Sequence, residues 1–376
     1  MKVALIYDWV NKIGGAERVL EALHEIWPEA PLYTAVYNPK TAPWAKDFKV
    51  IPSFLQKFPF AKTHHEAYPW LTPLAFESFD FSEFDIVISV TSAEAKGIIT
   101  KPKTLHICYC LTPTRYLWSG YQDYFRSSVF RFFSSPLVSY LRCWDLIAAQ
   151  RPDSYLAISQ NVAGRIKKYY GQDSRVIYPP IDTEKFKTRR YREATSSAYT
   201  LDAKPYFLVV SRLVPYKKVD IAIEAFNKLG LPLKVVGTGN QTRRLKRMAK
   251  KNIEFLGQLT DEALLGYYQR CVATVFPQEE DFGLVPLEAQ ACGKPVIAYR
   301  GGGALETVVE GKTGEFFAEQ TPESLGAQVL KFRPGKYKPE DCRQNALRFT
   351  KEIFKKKFKE FVEKEWKTYW KNIYTF

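Results

Sequence analysis

Several features that would place the chain in a common class are missing from its sequence. The 376 residues contain no apolar run of about 18 residues, the length that a membrane-spanning helix needs. The apolar start, MKVALIYDWVN, is broken by Asp8 and lacks a small-residue cleavage site, so we expect no signal peptide. The six cysteines form no C-x-x-C pair, which argues against a zinc finger or a disulfide framework. We therefore expect a cytoplasmic protein with reduced, mostly buried thiols.

The composition that remains is that of a globular protein. Hydrophobic residues make up 46% of the chain and charged residues 25%, which excludes wholesale disorder. Basic residues outnumber acidic ones by 55 to 40, and the formal charge is +15. This excess predicts an anionic partner, namely a nucleic acid, a nucleotide or an anionic membrane surface.

Short apolar runs alternate with helical patterns along the chain, which predicts an α/β fold with two mostly parallel sheets. A polar, Lys/Arg-rich stretch at 178–204 interrupts this alternation. We place a Rossmann-like N-terminal domain at 1–190 and a Rossmann-like C-terminal domain at 191–350. The tail, 351–376, reads as one amphipathic helix whose aromatic side packs onto the protein or contacts a membrane. The predicted strands are 3–7, 86–90, 105–109, 155–158, 206–210, 233–236, 253–256, 272–276 and 295–298.

Two loops that follow predicted strands carry residues suited to phosphate. Gly14 and Gly15 lie between the first strand and the first helix, where backbone amides can approach an anion. A tight turn is the alternative. Arg212 and Lys217 lie on a proline-containing loop directly after a strand, where ligands of open α/β sheets bind. They could converge on a diphosphate, or belong to a solvated basic loop.

Paired carboxylates and a predicted helix start follow the strand at 272–276. Pro286 fits only the first turn of a helix, so the helix begins near Leu284 or Val285. The amides from Phe282 onward would then face an anion. Glu280 precedes the helix, and Glu288 in its first turns could accept hydrogen bonds from a ribose diol. An acidic surface loop is the alternative, and the glycines at 301–303 fit either close approach or a turn.

Together these segments resemble glycosyltransferase family 4, which comprises retaining nucleotide-sugar transferases of GT-B architecture. The resemblance is strongest from 206 to 317, where SRLVPYKKVDIAIEAF, VVGTGN and FLGQLTDEAL precede an E-x7-E pattern formed by Glu280 and Glu288. The segments GGAERV and YPPID also fit. CYCLTPTRYLW at 108–118 and SRLVPYKKVD are similar to the mannosyltransferase branch that builds O-antigens and exopolysaccharides, usually from GDP-mannose.

The resemblance implies a role for each group of residues. Arg212 and Lys217 would hold the donor diphosphate and Glu280 the sugar hydroxyls, and these three are the expected catalytic residues. Glu288 would bind the ribose. The remaining expected donor-binding residues are Gly14, Gly15, Gly237, Phe282, Gly283 and Leu284, and the acceptor-side residues are Arg115 and Tyr116. The architecture implies two domains facing across a cleft, with the last helix crossing back to the first domain.

One departure and one absence qualify the chemistry that the resemblance implies. Leu111 occupies a position where relatives usually carry a histidine near the reacting sugar, and His106 is not assumed to replace it. The departure leaves open a non-catalytic nucleotide-sugar-binding protein. No D-x-D pair is present, so fixed cations rather than a metal are expected to neutralise the leaving group, and no cofactor is expected. GDP-mannose ranks first as donor, and a UDP-sugar is the alternative.

The acceptor is expected to be a lipid-linked glycan at the inner face of the cytoplasmic membrane. Three features favour this location, namely the net charge, the aromatic stretch 54–79 and the segment 115–144, in which arginines are interleaved with aromatic residues. The residues of that segment are Arg126, Arg131, Arg142, Phe125, Phe130, Phe132, Phe133 and Tyr140. An ordinary core with a basic surface is the alternative. Nucleic-acid binding is disfavoured because no recognised module is present, and a dehydrogenase because the first glycine loop lacks G-x-G-x-x-G.

Overall fold

The structure is a computed structural model, and it describes residues 1–12, 14–124, 128–188 and 205–374. The chain divides into two compact units. The first comprises Met1–Pro180 with Glu352–Phe376, and the second comprises Ile181–Lys351. The first boundary lies ten residues before the predicted one because the segment after Pro180 is bound to the second unit. Ile181 pairs with Thr350, and Arg343 Nη1 donates to the carbonyl of Thr183 at 3.0 Å. Most of the predicted linker, 189–204, lies outside the described residues.

The first unit is built on a parallel sheet of seven strands in the order β3-β2-β1-β4-β5-β6-β7. Buried parallel strands carry continuous apolar runs, and all five residues of VALIY in the first strand are buried. The strands are β1 (Val3–Tyr7), β2 (Leu32–Thr34), β3 (Val50–Pro52), β4 (Ile86–Thr91), β5 (Leu105–Cys110), β6 (Ser154–Ala157) and β7 (Arg175–Val176).

Helices connect these strands. In the helix Gln160–Tyr170, the Ser159 side chain caps the start by accepting from the amide of Val162, and Gly171 ends the helix in the left-handed conformation. The helices are α1 (Glu17–Ile26), α2 (Thr72–Glu77), α3 (Tyr121–Tyr124), α4 (Ser128–Ala148) and α5 (Gln160–Tyr170).

The second unit holds a parallel sheet of six strands in the order β10-β9-β8-β11-β12-β13. In both sheets the strand order reverses beside the first strand, as in doubly wound Rossmann-like folds. The strands are β8 (Phe207–Val210), β9 (Leu233–Val236), β10 (Ile253–Gly257), β11 (Thr274–Phe276), β12 (Val296–Tyr299) and β13 (Gly314–Phe317). The helices are α6 (Val219–Leu229), α7 (Thr242–Met248), α8 (Asp261–Arg270), α9 (Leu284–Ala291), α10 (Ala304–Thr307), α11 (Pro322–Lys331) and α12 (Pro339–Ala346).

The last helix, α13 (Lys351–Tyr374), packs on the first unit. Phe354 and Phe358 are fully buried, and both rings contact Tyr109 of β5. Farther along, the Tyr369 hydroxyl donates to the carbonyl of Pro102 at 2.7 Å. The prediction that the aromatic side of the tail packs onto the protein is therefore confirmed.

All nine predicted strands are present, with bounds within two residues of those expected. Strands β2, β3, β7 and β13 and helix α4 were not predicted from the sequence. Across the described residues, no helix combines the length and the apolar character that crossing a membrane requires.

Candidate active site

The loop after β8 carries two predicted phosphate ligands in different surroundings. Lys217 lies in a single helical turn, with 12% of its side chain exposed, and donates to the Glu280 carboxylate. Arg212 is exposed, and its Nη2 donates to the Tyr216 hydroxyl at 2.6 Å. The Lys217 ammonium lies 5.2 Å from the centre of the same Tyr216 ring. Tyr216, which sequence reasoning missed, therefore contacts both cations.

The loop after β11 brings Glu280 to Lys217. Because β8 and β11 are neighbouring parallel strands, the loops at their carboxyl ends meet at one edge of the sheet. Glu280 Oε1 also accepts from Gln278 Nε2 at 3.0 Å, and 22% of its side chain is exposed. A largely buried carboxylate and ammonium are thus paired at the carboxyl edge of the sheet.

The predicted helix start is confirmed. Helix α9 begins at Leu284, with Pro286 in its first turn, and Gly283 precedes it with φ of +93°. Phe282 is buried, and its ring centre lies 5.6 Å from that of Phe349. The first turn of a helix presents amides without intrahelical acceptors and the positive end of the helix dipole. Phe282, Gly283 and Leu284 therefore stand where an anion is favoured.

Glu288 lies on the buried face of α9. Only 5% of the residue is exposed, and its Oε2 accepts from the Tyr268 hydroxyl at 2.9 Å. Burial, followed by the charge of Glu288, raises the pKa of Tyr268 well above its usual value, so the phenol stays protonated and donates. Glu288 and Glu280 thus have different surroundings.

Two glycines of the second unit serve close backbone packing. Gly237 has φ of +124°, and a Cβ there would lie 1.9 Å from the carbonyl oxygen of Ser211. Its packing fixes the loop that carries Arg212. A Cβ on Gly303 would lie 2.2 Å from Phe282, and the Gly303 amide donates to the Glu280 carbonyl at 2.8 Å. The 301–303 glycines therefore permit close approach of backbone to the Glu280 loop.

In the first unit, Gly14 and Gly15 are exposed just before α1, as the strand–loop–helix pattern predicts. Glu17, the first residue of the helix, is buried and accepts from the Tyr7 hydroxyl at 3.3 Å. Burial raises the pKa of Glu17. The glycine loop thus stands in front of a buried acidic side chain.

The predicted acceptor-side residues Arg115 and Tyr116 adjoin a buried polar network that was not predicted from the sequence. Asp8, directly after β1, is completely buried, and its Oδ1 accepts from Thr91 Oγ1 at 2.7 Å and from the amide of Ala95 at 2.9 Å. Oδ2 of Asp8 accepts from the amide of Ser92 at 2.7 Å. These bonds fix the loop after β4, which carries Glu94 and Lys96.

Tyr116 donates to the carboxylate of Glu94, which is 4% exposed. Arg115, the other predicted acceptor-side residue, is partly exposed beside it. His106 is completely buried within β5 and hydrogen-bonded through Nε2 to Ser89 Oγ at 2.8 Å. Burial lowers the pKa of His106 to about 3, so a neutral, enclosed imidazole does not take the place of the histidine absent at Leu111.

We expect Glu94 to make the stability of the first unit depend on pH. Burial, and next the charge of Asp8, raise the pKa of Glu94 to about 7. The folded state therefore holds a proton that the unfolded state releases, and the free energy of unfolding falls as the pH rises from about 5 to about 7. The Glu94→Gln variant should lose this dependence on pH. The total change in the free energy of unfolding that it loses amounts to roughly 3 kcal/mol at most. Chemical denaturation at pH 5 and pH 8 measures it.

A matched control is Glu83→Gln, which alters an exposed glutamate of the same unit. We expect its pH slope to equal that of the unaltered chain. An unchanged slope in Glu94→Gln would show that this carboxyl is ionised throughout the range.

Among the described residues, no group of three or more His, Cys, Asp or Glu side chains could hold a metal ion.

Comparison with known proteins finds its family match in the second unit. The sequence family Glycosyl transferases group 1 matches residues 192–349. A Methanocaldococcus jannaschii protein named an uncharacterized glycosyltransferase is 26% identical over 55% of this chain and 57% of its own length. A Mycolicibacterium smegmatis protein named a GDP-mannose-dependent alpha-(1-6)-phosphatidylinositol monomannoside mannosyltransferase is 32% identical over 42% of this chain and 47% of its own length. The chain thus spans about half the length of the curated relatives it matches.

Solved structures are similar to this chain over nearly its whole length. The Anabaena protein HepE, crystallised with UDP and glucose, is similar with a TM-score of 0.72 at 18% identity, over 96% of this chain and 99% of that one. Its likeness, with the two Rossmann-like parallel sheets, establishes the GT-B fold. The residues matched by the Glycosyl transferases group 1 family, 192–349, include Arg212, Lys217, Glu280 and Glu288.

Proposed function

We propose that the chain is a retaining glycosyltransferase of family 4 that moves a sugar from a nucleotide-sugar donor to an acceptor hydroxyl. The observation that supports this most directly is the contact of Lys217 with Glu280 at the carboxyl ends of β8 and β11, inside a group 1 domain. The pair offers a cation to a diphosphate and a carboxylate to sugar hydroxyls. Retention of configuration rests on the family resemblance.

In the proposed reaction, the acceptor oxygen bonds to the anomeric carbon while the bond from that carbon to the donor phosphate breaks. The electron pair of this bond leaves with the nucleoside diphosphate, and the hydroxyl proton passes to the departing phosphate. Lys217, Arg212 and the start of α9 neutralise the charge that develops there. Glu280 orients the donor sugar, and Glu288 binds the ribose.

Mannose from GDP-mannose is the proposed sugar and donor, because a relative at 32% identity is named for GDP-mannose. The O-antigen and exopolysaccharide branch indicated by the sequence belongs to the same proposal. A UDP-sugar is the second candidate, since UDP is bound to a protein of the same fold. A binding protein without transfer is the third, since Leu111 replaces the family histidine.

Thermal unfolding with GDP, UDP, ADP, dTDP and their sugar conjugates tests the donor in the presence of a metal chelator. We expect GDP and GDP-mannose to raise the unfolding temperature selectively, because fixed cations rather than a metal or cofactor hold the diphosphate. A shift with UDP compounds alone would transfer the assignment to a UDP-sugar. The absence of any shift would contradict the proposed site.

We further propose that the first unit docks on an anionic membrane to reach a lipid-linked glycan. Helix α4 buries one face and exposes an apolar one. The buried residues are Val138, Leu141, Asp145 and Ala148, and the exposed ones are Phe132, Phe133, Tyr140 and Ile147, between 53% and 76% exposed. Arg131 and Arg142 belong to the same helix, and Arg142 Nε donates to the carbonyl of Leu117 at 2.9 Å. Apolar side chains with basic neighbours suit the interface of an anionic bilayer.

The structure does not describe all of the segment 115–144, from which membrane docking was predicted. Phe125 and Arg126 lie outside the described residues, as does the side chain of Phe130. The aromatic stretch 54–79 contributes exposed Phe60 and Trp70 to the same unit.

The double variant Phe132→Ser/Phe133→Ser should bind anionic vesicles at least about tenfold more weakly, since each phenylalanine loses about 1.5–3 kcal/mol of apolar burial. Cosedimentation with vesicles containing phosphatidylglycerol measures this. Leu330→Ser, which alters a 62% exposed apolar residue of the second unit, is the control. Equal binding by the double variant, or no binding by the unaltered chain at low salt, would contradict membrane docking through α4.

A further inference from the structure

Gln278 is a buried residue beside the candidate sugar-binding carboxylate. It follows β11 by two positions, and only 1% of the residue is exposed. Its Nε2 donates to Glu280 Oε1 at 3.0 Å, the same oxygen that accepts from Lys217. Two donors from two different loops therefore fix one oxygen of the carboxylate.

The backbone of this loop is held without the Gln278 side chain. Gln320 Nε2 donates to the carbonyl of Pro277 at 2.9 Å. On the other side, the amide of Gly303 donates to the carbonyl of Glu280 at 2.8 Å. The glutamine amide is therefore not needed to set the path of the chain.

The side-chain oxygen of Gln278, in contrast to its nitrogen, destabilises the fold. Its Oε1 is buried and accepts no hydrogen bond from any described residue. Buried polar atoms without partners are uncommon and destabilise a fold, whereas an apolar side chain of the same shape avoids the penalty. Methionine has that shape, so packing alone does not explain a glutamine here. The interaction that remains to explain it is the bond from Nε2 to Glu280.

We infer that Gln278 is a positioning residue that orients the Glu280 carboxylate toward the hydroxyls of the donor sugar. The inference rests on the proposed function and deepens it at the same site. A carboxylate held by both Lys217 and Gln278 keeps one direction before the sugar arrives, so less conformational freedom is lost on binding. Gln278 thereby contributes to recognition of the sugar and not of the nucleotide.

The test is the affinity of Gln278→Met for GDP-mannose and UDP-glucose compared with GDP and UDP, measured by calorimetry. We expect the dissociation constant of the sugar nucleotide bound by the unaltered chain to rise about 10- to 100-fold, as expected for loss of a hydrogen bond to a charged group. That of the free nucleotide should stay within about twofold, and the unfolding temperature should not fall. Gln320→Met is the matched control, because it removes a glutamine that bonds to the same loop through its backbone. It should leave the ratio of the two affinities unchanged.

A second variant covers the case in which methionine disturbs packing. Gln278→Glu keeps the size but faces Glu280 with a carboxyl in place of a donor, with Lys217 as the neighbouring cation. We expect weak binding of the sugar nucleotide at pH 8 and recovery toward pH 5.5, where a proton shared between the two carboxyls restores a donor. A purely structural role gives no such recovery.

The outcomes separate the two proposals. If the unaltered chain binds no nucleotide sugar, the proposed function fails and this inference fails with it. If the unaltered chain binds one and Gln278→Met weakens it no more than the free nucleotide, the inference alone is overturned.

Discussion

Replacing Lys217 with methionine should lower the rate of sugar transfer by about 10²–10³, the loss typical for a group that stabilises charge in the transition state. Methionine keeps the apolar stem and removes only the ammonium. That ammonium, 12% exposed and bound to Glu280, is the least solvated cation of the β8 loop, since Arg212 is exposed. A cation held in a poorly hydrated site acts more strongly on a developing charge than one in water. Turnover of the donor with an acceptor extract measures the effect.

The matched control is Lys228→Met. Lys228 is also bonded to a glutamate of the second unit, Glu323, but both side chains are more than 60% exposed. Such exposed pairs contribute little, so we expect transfer within about twofold of the unaltered chain. If Lys217→Met transfers as fast as Lys228→Met, Lys217 does not stabilise the leaving group.

The arrangement of this site could be predicted from the sequence because each part follows a strand. β8 and β11 are buried and continuous in apolar character, so their carboxyl ends could be placed within two residues. Pro286 then fixed the start of α9. The partners of these residues, Tyr216 and Gln278, were not predicted, since a spacing pattern does not tell which neutral side chain faces a charge.

The surroundings of the proposed acceptor-side residues could be predicted less completely, for a physical reason. Its contacts join residues far apart in the chain, such as Asp8 with Ala95 and Lys96 with Asp145, and no local pattern reports them. Helix α4 was missed because its outward face is also apolar and because Pro136 lies inside it, which hides the usual alternation of polar and apolar faces. Short strands such as β2 and β3 have only three residues each and no distinct apolar run.

The largest expected effect on stability comes from the buried ion pair of the first unit. Lys96 and Asp145 are 1% and 0% exposed, and Lys96 Nζ lies 2.5 Å from Asp145 Oδ1. Burial lowers the pKa of Lys96, but the charge of Asp145, the hydrogen bond to it and the charge of Glu94 together outweigh burial, so the net shift is upward and Lys96 stays protonated. Lys96→Met leaves a completely buried carboxylate without its cation, which should lower the free energy of unfolding by about 3–5 kcal/mol. Chemical denaturation measures this loss.

Two further variants test whether the unpaired buried charge causes this loss of stability. In the same unit, Lys355 Nζ lies 2.7 Å from Glu25 Oε2, with 31% and 42% exposure, so Lys355→Met should cost less than about 1 kcal/mol. The double variant Lys96→Met/Asp145→Asn should be more stable than Lys96→Met alone, because it removes the unpaired charge along with its partner. A double variant less stable than the single one would mean that lost hydrogen bonds, rather than a buried charge, account for the effect.

The same pair also links stability to the acceptor side. Thr114 Oγ1 and Trp118 Nε1 each donate to Asp145 at 2.7 Å, on either side of Arg115 and Tyr116. Lys96→Met should therefore lower the rate of transfer, since it disturbs the segment proposed to face the acceptor. Lys217, Glu280 and Glu288 belong to the second unit, so at a temperature where the variant is folded its affinity for the nucleotide should be unchanged. A parallel loss of nucleotide affinity would contradict this division of roles, in which the first unit serves the acceptor and the second holds most of the donor.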